Sequence, residues 1–500
     1  MQYNSSAQLR VKKIKTKNLC ANLMEMNNKS TRRDFLKTAA LGAGLFIGNE
    51  QFACAQPWGE GRRGDGRPLP ILSSNPSIQY HRNRCRLCGR CREFCRSTTD
   101  VFGQSVPPGE EACIRCGQCT HFCPRGLTEK YHYSAVTGAV ADPNKIVVAS
   151  IAPAIRVSVG EMYKLAPGTN VEGRIVAALK QLGIDHVLDT TFSADLTVME
   201  EASELLQRLE TGTENLPMFT SCCPGWVRFV KLFYPSLLPN LSTTKSPIMM
   251  QGALVKTYFA QKMVIEPAQI FHVALTPCTA KKAEIQLPGM SASGMRDVDI
   301  ALTCREIAYL LNEGKVDFLR TQDAPYSSLM EPGSGAGMIF GNTGGVMEAA
   351  LRTAYKLLNG DDPPASFFHY LPVRGWENVR QASIDLGKRT LNVALVHGIG
   401  NVRPLIEAIQ SGEQKFDFVE VMACLGGCVG GGGQPISPLT EAVMVKRKRI
   451  NALYQHDAKQ AIRLSCNNPQ IKAIYDEFLV KPLGEISEKL LHVKNNSPRQ

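Results

Sequence analysis

Eight cysteines in two short runs are the residues of this 500-residue chain best suited to chemistry. Both runs have the spacing C-x2-C-x2-C-x3-C. In this spacing three thiolates bind three corners of one cubane, and the fourth cysteine of each run binds the other cubane. The runs therefore predict two [4Fe-4S] clusters, one on Cys85, Cys88, Cys91 and Cys123, the other on Cys113, Cys116, Cys119 and Cys95.

Zinc and disulfides are the alternative uses of these eight cysteines. A zinc ion takes four ligands, so zinc sites built from C-x2-C pairs would leave the extra cysteines idle. Disulfides suit an exported protein, although folding in a reducing compartment before export favours the clusters. Arg96 follows the first run, where the motif usually has a proline.

Three further motifs carry five more cysteines, at residues 220–226 (TSCCPGW), 276–284 (TPCTAKKAE) and 420–435 (EVMACLGGCVGGGGQP). Soft thiolates from three separated loops, beside glycines that permit close backbone approach, predict one buried iron–sulfur site. Cys304 and Cys466 lie in helical stretches and are interpreted as buried or inert thiols. The glycine runs lack the context of a dinucleotide or P-loop site, which argues against NAD and ATP.

The elements that must position these motifs change character along the chain. Residues 81–135 are rich in cysteine and poor in aliphatic residues, which predicts a small α+β domain of ferredoxin type that folds around its clusters. In residues 145–450, aliphatic runs alternate with helical stretches. This pattern predicts an α/β catalytic domain with largely parallel sheets and a site at the carboxyl ends of strands. A helical segment follows at residues 451–493.

The N-terminus has the pattern of a twin-arginine signal peptide at residues 1–55. STRRDFLK at residues 30–37 precedes a short apolar run and Ala53-Cys54-Ala55, which predicts cleavage after Ala55. We therefore expect the twin-arginine translocase as a partner and a periplasmic location. Residues 56–80, rich in Pro, Gly, Arg and Ser, are predicted to be a flexible linker.

The net charge of +12 does not indicate nucleic-acid binding, because half of that excess lies in residues 1–55. The remainder contains no basic stripe of the kind that a nucleic-acid interface requires.

Together the motifs resemble the [FeFe]-hydrogenase family over residues 84–493, including the stretches at 152–161 and 335–352. The resemblance implies an exported single-chain enzyme that interconverts H2 with protons and electrons. It implies a [4Fe-4S] cubane joined through a cysteine sulfur to a two-iron unit with CO, cyanide and azadithiolate ligands. The implied cubane ligands are Cys223, Cys278, Cys424 and Cys428, of which Cys428 bridges to the two-iron unit.

The resemblance also assigns the surrounding residues. Cys222 would exchange protons with the cofactor, and Glu201, Ser242, Glu204 and finally Arg208 at the surface would relay them. The spacing of the two glutamates and the arginine fits one helical face, for which a solvated charged face is the alternative interpretation. Lys281 would contact a cyanide ligand. The implied pocket residues are Ala152, Pro153, Thr276, Phe340 and Met422.

The resemblance implies partners as well: maturation proteins and an external electron carrier such as a periplasmic c-type cytochrome or ferredoxin. Residues 451–493 resemble a segment that some exported relatives carry as a separate small subunit. Two rival functions are a non-catalytic iron–sulfur assembly factor and a hydrogen sensor. The full cysteine set and the export signal count against the former, and the lack of a recognisable signalling domain counts against the latter.

Two positions depart from the family pattern. Thr276 stands where the family usually has methionine, and Ile248 stands where it usually has a glutamine near a cyanide ligand. Gln251, one helical turn beyond Ile248, is a candidate replacement for that hydrogen-bond donor.

Overall fold

A computed structural model of the protein describes residues 68–102, 105–123, 125–212, 215–330, 333–369 and 373–493. The predicted signal peptide and residues 56–67 of the predicted linker lie outside the described residues. The strands are β1 (Ile78–Tyr80), β2 (Leu127–Glu129), β3 (Ile146–Ile151), β4 (His186–Asp189), β5 (Met218–Phe219), β6 (Ile270–Thr276), β7 (Ile300–Thr303), β8 (Val379–Asp385), β9 (Thr390–His397) and β10 (Phe418–Met422).

The helices are α1 (Arg90–Thr98), α2 (Gln118–Phe122), α3 (Tyr133–Ala141), α4 (Glu172–Gln181), α5 (Thr190–Thr211), α6 (Pro224–Phe233), α7 (Pro247–Leu254), α8 (Ala260–Met263), α9 (Lys281–Glu284), α10 (Cys304–Glu313), α11 (Gly335–Ile339), α12 (Gly345–Asn359), α13 (Val402–Gln410), α14 (Ala442–Lys459), α15 (Pro469–Ile474) and α16 (Glu485–Leu491). Among the described residues, no helix is both long and apolar enough to cross a membrane.

The cysteine-rich segment is a small α+β unit, as its composition predicts. Strands β1 and β2 pair antiparallel, with Ile78 opposite Glu129, and so bring the two ends of the segment together. Helices α1 and α2 each begin directly after a left-handed glycine, Gly89 and Gly117. Glycine adopts this conformation at no steric cost, which lets the chain turn sharply beside the cysteines.

Residues 68–80 were predicted from composition to be linker, but they belong to this folded unit. Leu69 and Ile78 are buried in its apolar core. The carboxylate of Glu111 accepts hydrogen bonds from the Leu72 amide and the Asn75 side chain, each at 2.8 Å. These contacts join residues far apart in the sequence, so local composition did not reveal them.

Two four-stranded sheets form the larger part of the molecule, and they are largely parallel, which confirms the predicted fold class. In the sheet β4-β3-β6-β7 every pair is parallel. In the sheet β5-β10-β9-β8 only the β8–β9 hairpin is antiparallel.

Helix α5 lies between the two sheets and is buried along most of its length. Near its start, Phe192 and Leu196 share a core with Val148 of β3. Near its end, Leu205 and Leu209 share a core with residues of β5, β9 and β10. The Asp189 side chain caps the helix by accepting from the Thr191 amide at 2.9 Å. Because α5 is enclosed, its buried polar side chains need hydrogen-bond partners on neighbouring elements or on one another.

The C-terminal helices pack against α5 and the first sheet. Asp195 accepts hydrogen bonds from Ser465 (2.8 Å) and Asn468 (3.0 Å), and Glu200 accepts from the Tyr475 hydroxyl (2.6 Å). Helix α14 runs continuously across residue 450, where the sequence analysis places a domain boundary. The described residues all fall within one compact unit, Arg63–Gln500.

Candidate functional site

The three strand-end cysteine motifs line one common cavity. The first motif follows β5, the second begins at the last residue of β6, and the third begins within β10. This placement is expected for a site at the carboxyl ends of parallel strands. All the predicted cubane ligands and pocket residues line it, together with Cys222 and Lys281; the wall includes Ala152, Pro153, Cys222, Cys223, Ile248, Thr276, Cys278, Lys281, Phe340, Met422, Cys424 and Cys428.

The thiols in the cavity wall are strongly perturbed. Burial raises the pKa of Cys278 and of Cys424 to about 12, and it raises the pKa of Cys428 as well. The nearby thiols Cys424 and Cys223 raise the pKa of Cys278 further. Thiolates this close repel one another in an apolar pocket, so a positively charged metal centre is what makes their ionised forms favourable.

The cavity fits a cluster better than a single metal ion. Among the described residues, no three His, Cys, Asp or Glu side chains gather closely enough to hold one ion. The loop of the third motif also has no room for side chains: a Cβ on Gly427 would lie 2.6 Å from the Thr343 nitrogen, and one on Gly431 would lie 2.3 Å from the Pro277 oxygen. Glycine is required where a backbone approaches this closely.

Glu201 is the most unusual acid near the cavity. It is fully buried, and neither carboxyl oxygen accepts a hydrogen bond from the described residues. Burial, followed by the charges of Glu204 and Glu420, raises the pKa of Glu201 to about 8, while Ser242 and Arg208 oppose the shift. Burial and then the Glu201 charge raise the pKa of Cys222 well above its usual value. Such an acid exchanges protons readily near neutral pH.

The other predicted relay residues form a connected group. The Ser242 hydroxyl donates to Glu204 Oε2 at 2.8 Å, and Arg208 Nη2 donates to Glu204 Oε1 at 2.6 Å. Arg208 was expected at the surface, and this is a correction: it is only 9% exposed. Its guanidinium is held by backbone carbonyls, including that of Leu241 at 2.8 Å. An arginine with this many acceptors is stable when buried.

Lys281 lines the cavity. Its Nζ donates to the carbonyl of Cys222 at 3.2 Å and pairs with Glu284 Oε2 at 2.6 Å. The ammonium group is therefore held in the cavity wall with its charge balanced.

The second cysteine run contacts the cavity loop directly. Gln118 Nε2 donates to Cys424 Sγ at 3.3 Å and to the Gly430 carbonyl at 2.7 Å. The Thr279 hydroxyl donates to the Arg115 carbonyl at 2.8 Å. Burial and then the Cys424 charge raise the pKa of Cys116 well above its usual value, so these two predicted ligands are neighbours.

Gln118 and His121 were missed by the sequence analysis. His121 Nε2 is 3.0 Å from the Gly432 carbonyl, and burial lowers the pKa of His121 to about 3, which keeps the ring neutral. Both residues lie between cysteines of the second run, and this position was the sole available signal.

The cysteines of the two runs lie close enough to influence one another. Burial raises the pKa of Cys95 to about 11 and of Cys113 to about 12. The Cys95 charge contributes to the raised pKa of Cys113, Cys116 and Cys119, although Cys95 belongs to the other run.

The two departures from the family pattern both face the cavity. Thr276 and Ile248 line the wall. Gln251 is fully buried, and its amide has no hydrogen-bond partner among the described residues, yet Gln251 is not one of the lining residues. It therefore does not replace the missing donor in the cavity wall.

Comparisons with known proteins agree with this geometry. Residues 145–432 match the family model for the iron-only hydrogenase large subunit, C-terminal domain, and residues 443–496 match that for the iron hydrogenase small subunit. The NADP-reducing hydrogenase subunit HndD of Solidesulfovibrio fructosivorans is 42% identical, over 83% of this chain and 74% of that protein. The periplasmic [Fe] hydrogenase large subunit of Nitratidesulfovibrio vulgaris is 41% identical, over 72% and 87%. A solved structure of a variant of apo [FeFe]-hydrogenase HydA1 from Chlamydomonas reinhardtii is 39% identical with a TM-score of 0.64, over 73% and 98%.

Proposed function

The chain belongs to the [FeFe]-hydrogenase family, and from that premise we propose that it oxidises H2 reversibly at a [4Fe-4S] cubane linked to a two-iron unit. The observation that carries the proposal is the cavity lined by four half-buried thiols from three strand ends. Cys223, Cys278, Cys424 and Cys428 would hold the cubane, with Cys428 as the bridge to the two-iron unit. When bound, the cofactor supplies the two-electron redox chemistry of H2.

Protons would leave through residues of the chain itself. Cys222 stands in the cavity wall and exchanges a proton with Glu201, whose high pKa suits both uptake and release. The Ser242 hydroxyl can donate and accept, so it passes the proton to Glu204, which Arg208 holds in place.

Electrons would leave through the cysteine-rich unit. The contact of Gln118 with Cys424 supports the cluster on Cys95, Cys113, Cys116 and Cys119 as the neighbour of the cavity. The cluster on Cys85, Cys88, Cys91 and Cys123 then lies nearer the surface, since Cys88 is exposed. An external carrier collects the electrons there.

Periplasmic location and dependence on maturation proteins are part of this proposal. The twin-arginine pattern and the similarity to a periplasmic hydrogenase support export. Changing Arg32 and Arg33 to lysine should leave folded protein in the cytoplasm. Undiminished periplasmic activity would contradict the signal.

Infrared spectroscopy tests the cofactor, because bound CO and cyanide absorb where proteins do not. Protein produced with its maturation proteins should show these bands and oxidise H2 with an artificial dye. Cys428→Ala should abolish both, whereas Cys304→Ala, at a buried thiol outside the cavity, should retain both. Retained turnover in Cys428→Ala would refute the assignment.

A further inference from the structure

Ser242 has a second hydroxyl neighbour besides the Glu204 carboxylate. Its Oγ lies 2.9 Å from Thr244 Oγ1, and either oxygen can be the donor. A hydroxyl carries one hydrogen and two lone pairs. Ser242 can therefore accept from Thr244 while it donates to Glu204 at 2.8 Å, or it can donate to Thr244 instead. Ser242 is a branch point between two hydrogen-bonded arms.

The Glu204 arm ends at a group that cannot accept a proton. Glu204 accepts from Arg208 Nη2 at 2.6 Å and from the Thr243 amide at 3.0 Å. An arginine side chain has only donors and stays charged. Arg208 is 9% exposed, and its guanidinium also donates to the carbonyls of Pro239 (3.2 Å) and Leu241 (2.8 Å). Arg208 thus holds Glu204 in place but cannot carry its proton to solvent.

The Thr244 arm leads to a cleft that opens to solvent. Thr244 and Ser221 both line this cleft. Ser221 Oγ donates to the Thr244 carbonyl at 2.7 Å and lies 3.5 Å from Thr244 Oγ1. The cleft, here called the proline-rimmed cleft, is also lined by three exposed prolines, Pro107, Pro108 and Pro288. The Thr244 hydroxyl therefore lies between fully buried Ser242 and solvent.

We propose that Thr244 is a proton-relay residue and that the proline-rimmed cleft is the proton exit it serves. The inference rests on the proposed hydrogenase function and adds a route from Glu201 to solvent that does not pass through Arg208. Burial raises the pKa of Glu201 and Ser242 opposes that shift, so the Ser242 hydroxyl lies near the carboxyl from which the route begins.

Each transfer along the Thr244 arm breaks one O–H bond and forms another. The Glu201 proton passes to Ser242 Oγ, while the hydrogen of Ser242 passes to Thr244 Oγ1 and the hydrogen of Thr244 passes to solvent in the cleft. Glu201 is then a carboxylate and accepts the next proton from Cys222. Rotation of the two hydroxyls restores their starting orientation, and the same steps in reverse take up protons.

Thr244→Val tests the exit, because valine keeps the shape of threonine and removes the hydroxyl. Thr244→Ser keeps the hydroxyl and should retain the relay. The matched control is Thr197→Val, which removes a buried hydroxyl of α5 that donates to the Ser193 carbonyl at 3.0 Å. Iron content and the CO and cyanide bands verify that each variant holds its cofactors. Thr244→Ala carries the same expectation if Thr244→Val does not fold.

Dye-linked H2 oxidation is the first measurement. The kcat of Thr244→Val should fall at least about tenfold, but by less than the roughly 10²–10⁴-fold contribution of a sole proton-transfer group, because Glu204 remains as a second acceptor. Its solvent isotope effect in D2O should increase, since proton release then limits the rate. Thr244→Ser and Thr197→Val should behave like the wild type in both respects.

Hydrogen–deuterium exchange at Glu201 is the second measurement, and it needs no H2. Burial raises the pKa of Glu201 to about 8, so its carboxyl is largely protonated at neutral pH. Transfer into D2O shifts the infrared carbonyl band of that carboxyl as its proton is replaced, and Glu201→Gln identifies the band. Exchange should be slower in Thr244→Val than in the wild type, Thr244→Ser and Thr197→Val.

An unchanged exchange rate in Thr244→Val would overturn the proposal even if turnover fell. Equal losses in Thr244→Ser and Thr244→Val would overturn it as well, because the side chain would then act through packing. Equal loss in Thr197→Val would show general damage and likewise overturn it. Slow exchange in Thr244→Val without H2 oxidation by the wild type would support the exit and count against the proposed function alone.

Discussion

The two cysteine runs have similar backbone conformations at equivalent positions, but one loop is exposed to solvent and the other contacts the cavity loops. Leu87 and Arg115 occupy equivalent places with φ of 52° and 64°, and Gly89 and Gly117 follow with 69° and 71°. Yet Leu87 is exposed, whereas the Arg115 carbonyl is bound by Thr279. The ligand spacing thus sets the shape of each loop, and the residues between the ligands determine which neighbour the loop meets.

The positions Arg90 and Gln118 show this most directly. Each is the first residue of a helix that follows a left-handed glycine. Arg90 is exposed to solvent, whereas Gln118 donates to a cavity thiol. One repeated motif therefore has an outward-facing copy and an inward-facing copy.

The largest expected effect tests whether the two loops differ only in electron transfer and play no part in proton transfer. Cys222→Ala removes the proposed proton-transfer group in the cavity wall. Turnover should fall by more than about 10²–10⁴-fold, the usual contribution of a positioned acid or base, and by the same factor with a dye and with a protein carrier. CO and cyanide bands should remain. A normal rate would mean that protons leave by another route.

The next effect tests the close approach of the inward-facing loop. A Cβ at Gly117 would lie 2.3 Å from Thr279 Oγ1, so Gly117→Ala should separate the loop from the cavity and sharply reduce dye-linked turnover and iron content. Gly89→Ala should cost left-handed strain of about 1–2 kcal/mol, which Gly117→Ala incurs as well as its clash. The double variant Gly117→Ala/Thr279→Ala removes the clash and should recover part of the loss. Equal effects of the two single alanine changes would show that the two loops are not differently packed.

A smaller effect compares Gln118 with its equivalent. Gln118→Leu removes a hydrogen bond to Cys424. That hydrogen bond favours the reduced form of the cubane, which carries more negative charge. Its midpoint potential should fall by tens of millivolts, where about 59 mV is a tenfold change in a one-electron equilibrium. Arg90→Leu, at an exposed position, should leave that potential unchanged. EPR-monitored redox titration of both variants measures the shift. An equal shift in the two would refute the distinction between the loops.

Local sequence patterns predicted the elements but not these contacts. Aliphatic runs located the parallel strands, and the cysteine motifs fell at their carboxyl ends because strand and motif are adjacent in the chain. The contact between Gln118 and Cys424 joins residues 306 positions apart, which no local pattern encodes. The burial of Arg208 likewise depends on carbonyls of residues 239–241, so its charge alone suggested a surface position. The predicted end of the linker at residue 80 was wrong for the same reason, because the Leu72 amide donates to the carboxylate of Glu111, far along the chain.

The smallest expected effect concerns the cavity wall at Thr276 and Ile248. Thr276→Met with Ile248→Gln restores a polarisable thioether and an amide donor at positions that line the cavity. A hydrogen bond of this kind contributes typically about 0.5–1.5 kcal/mol. The CO and cyanide bands should therefore shift, and catalytic bias should change, while the two ferredoxin-type clusters keep their spectra and their potentials.

Thr276→Ser with Ile248→Leu is the matched control, because it changes both positions without adding a donor or a thioether. It should leave the bands almost unmoved. Gln251→Leu separates the two sources of an amide: since Gln251 does not line the cavity, its loss should not move the cyanide bands. If Gln251→Leu shifts them and the double change does not, the donor comes from Gln251, and the residue-by-residue correspondence with the family fails at Ile248.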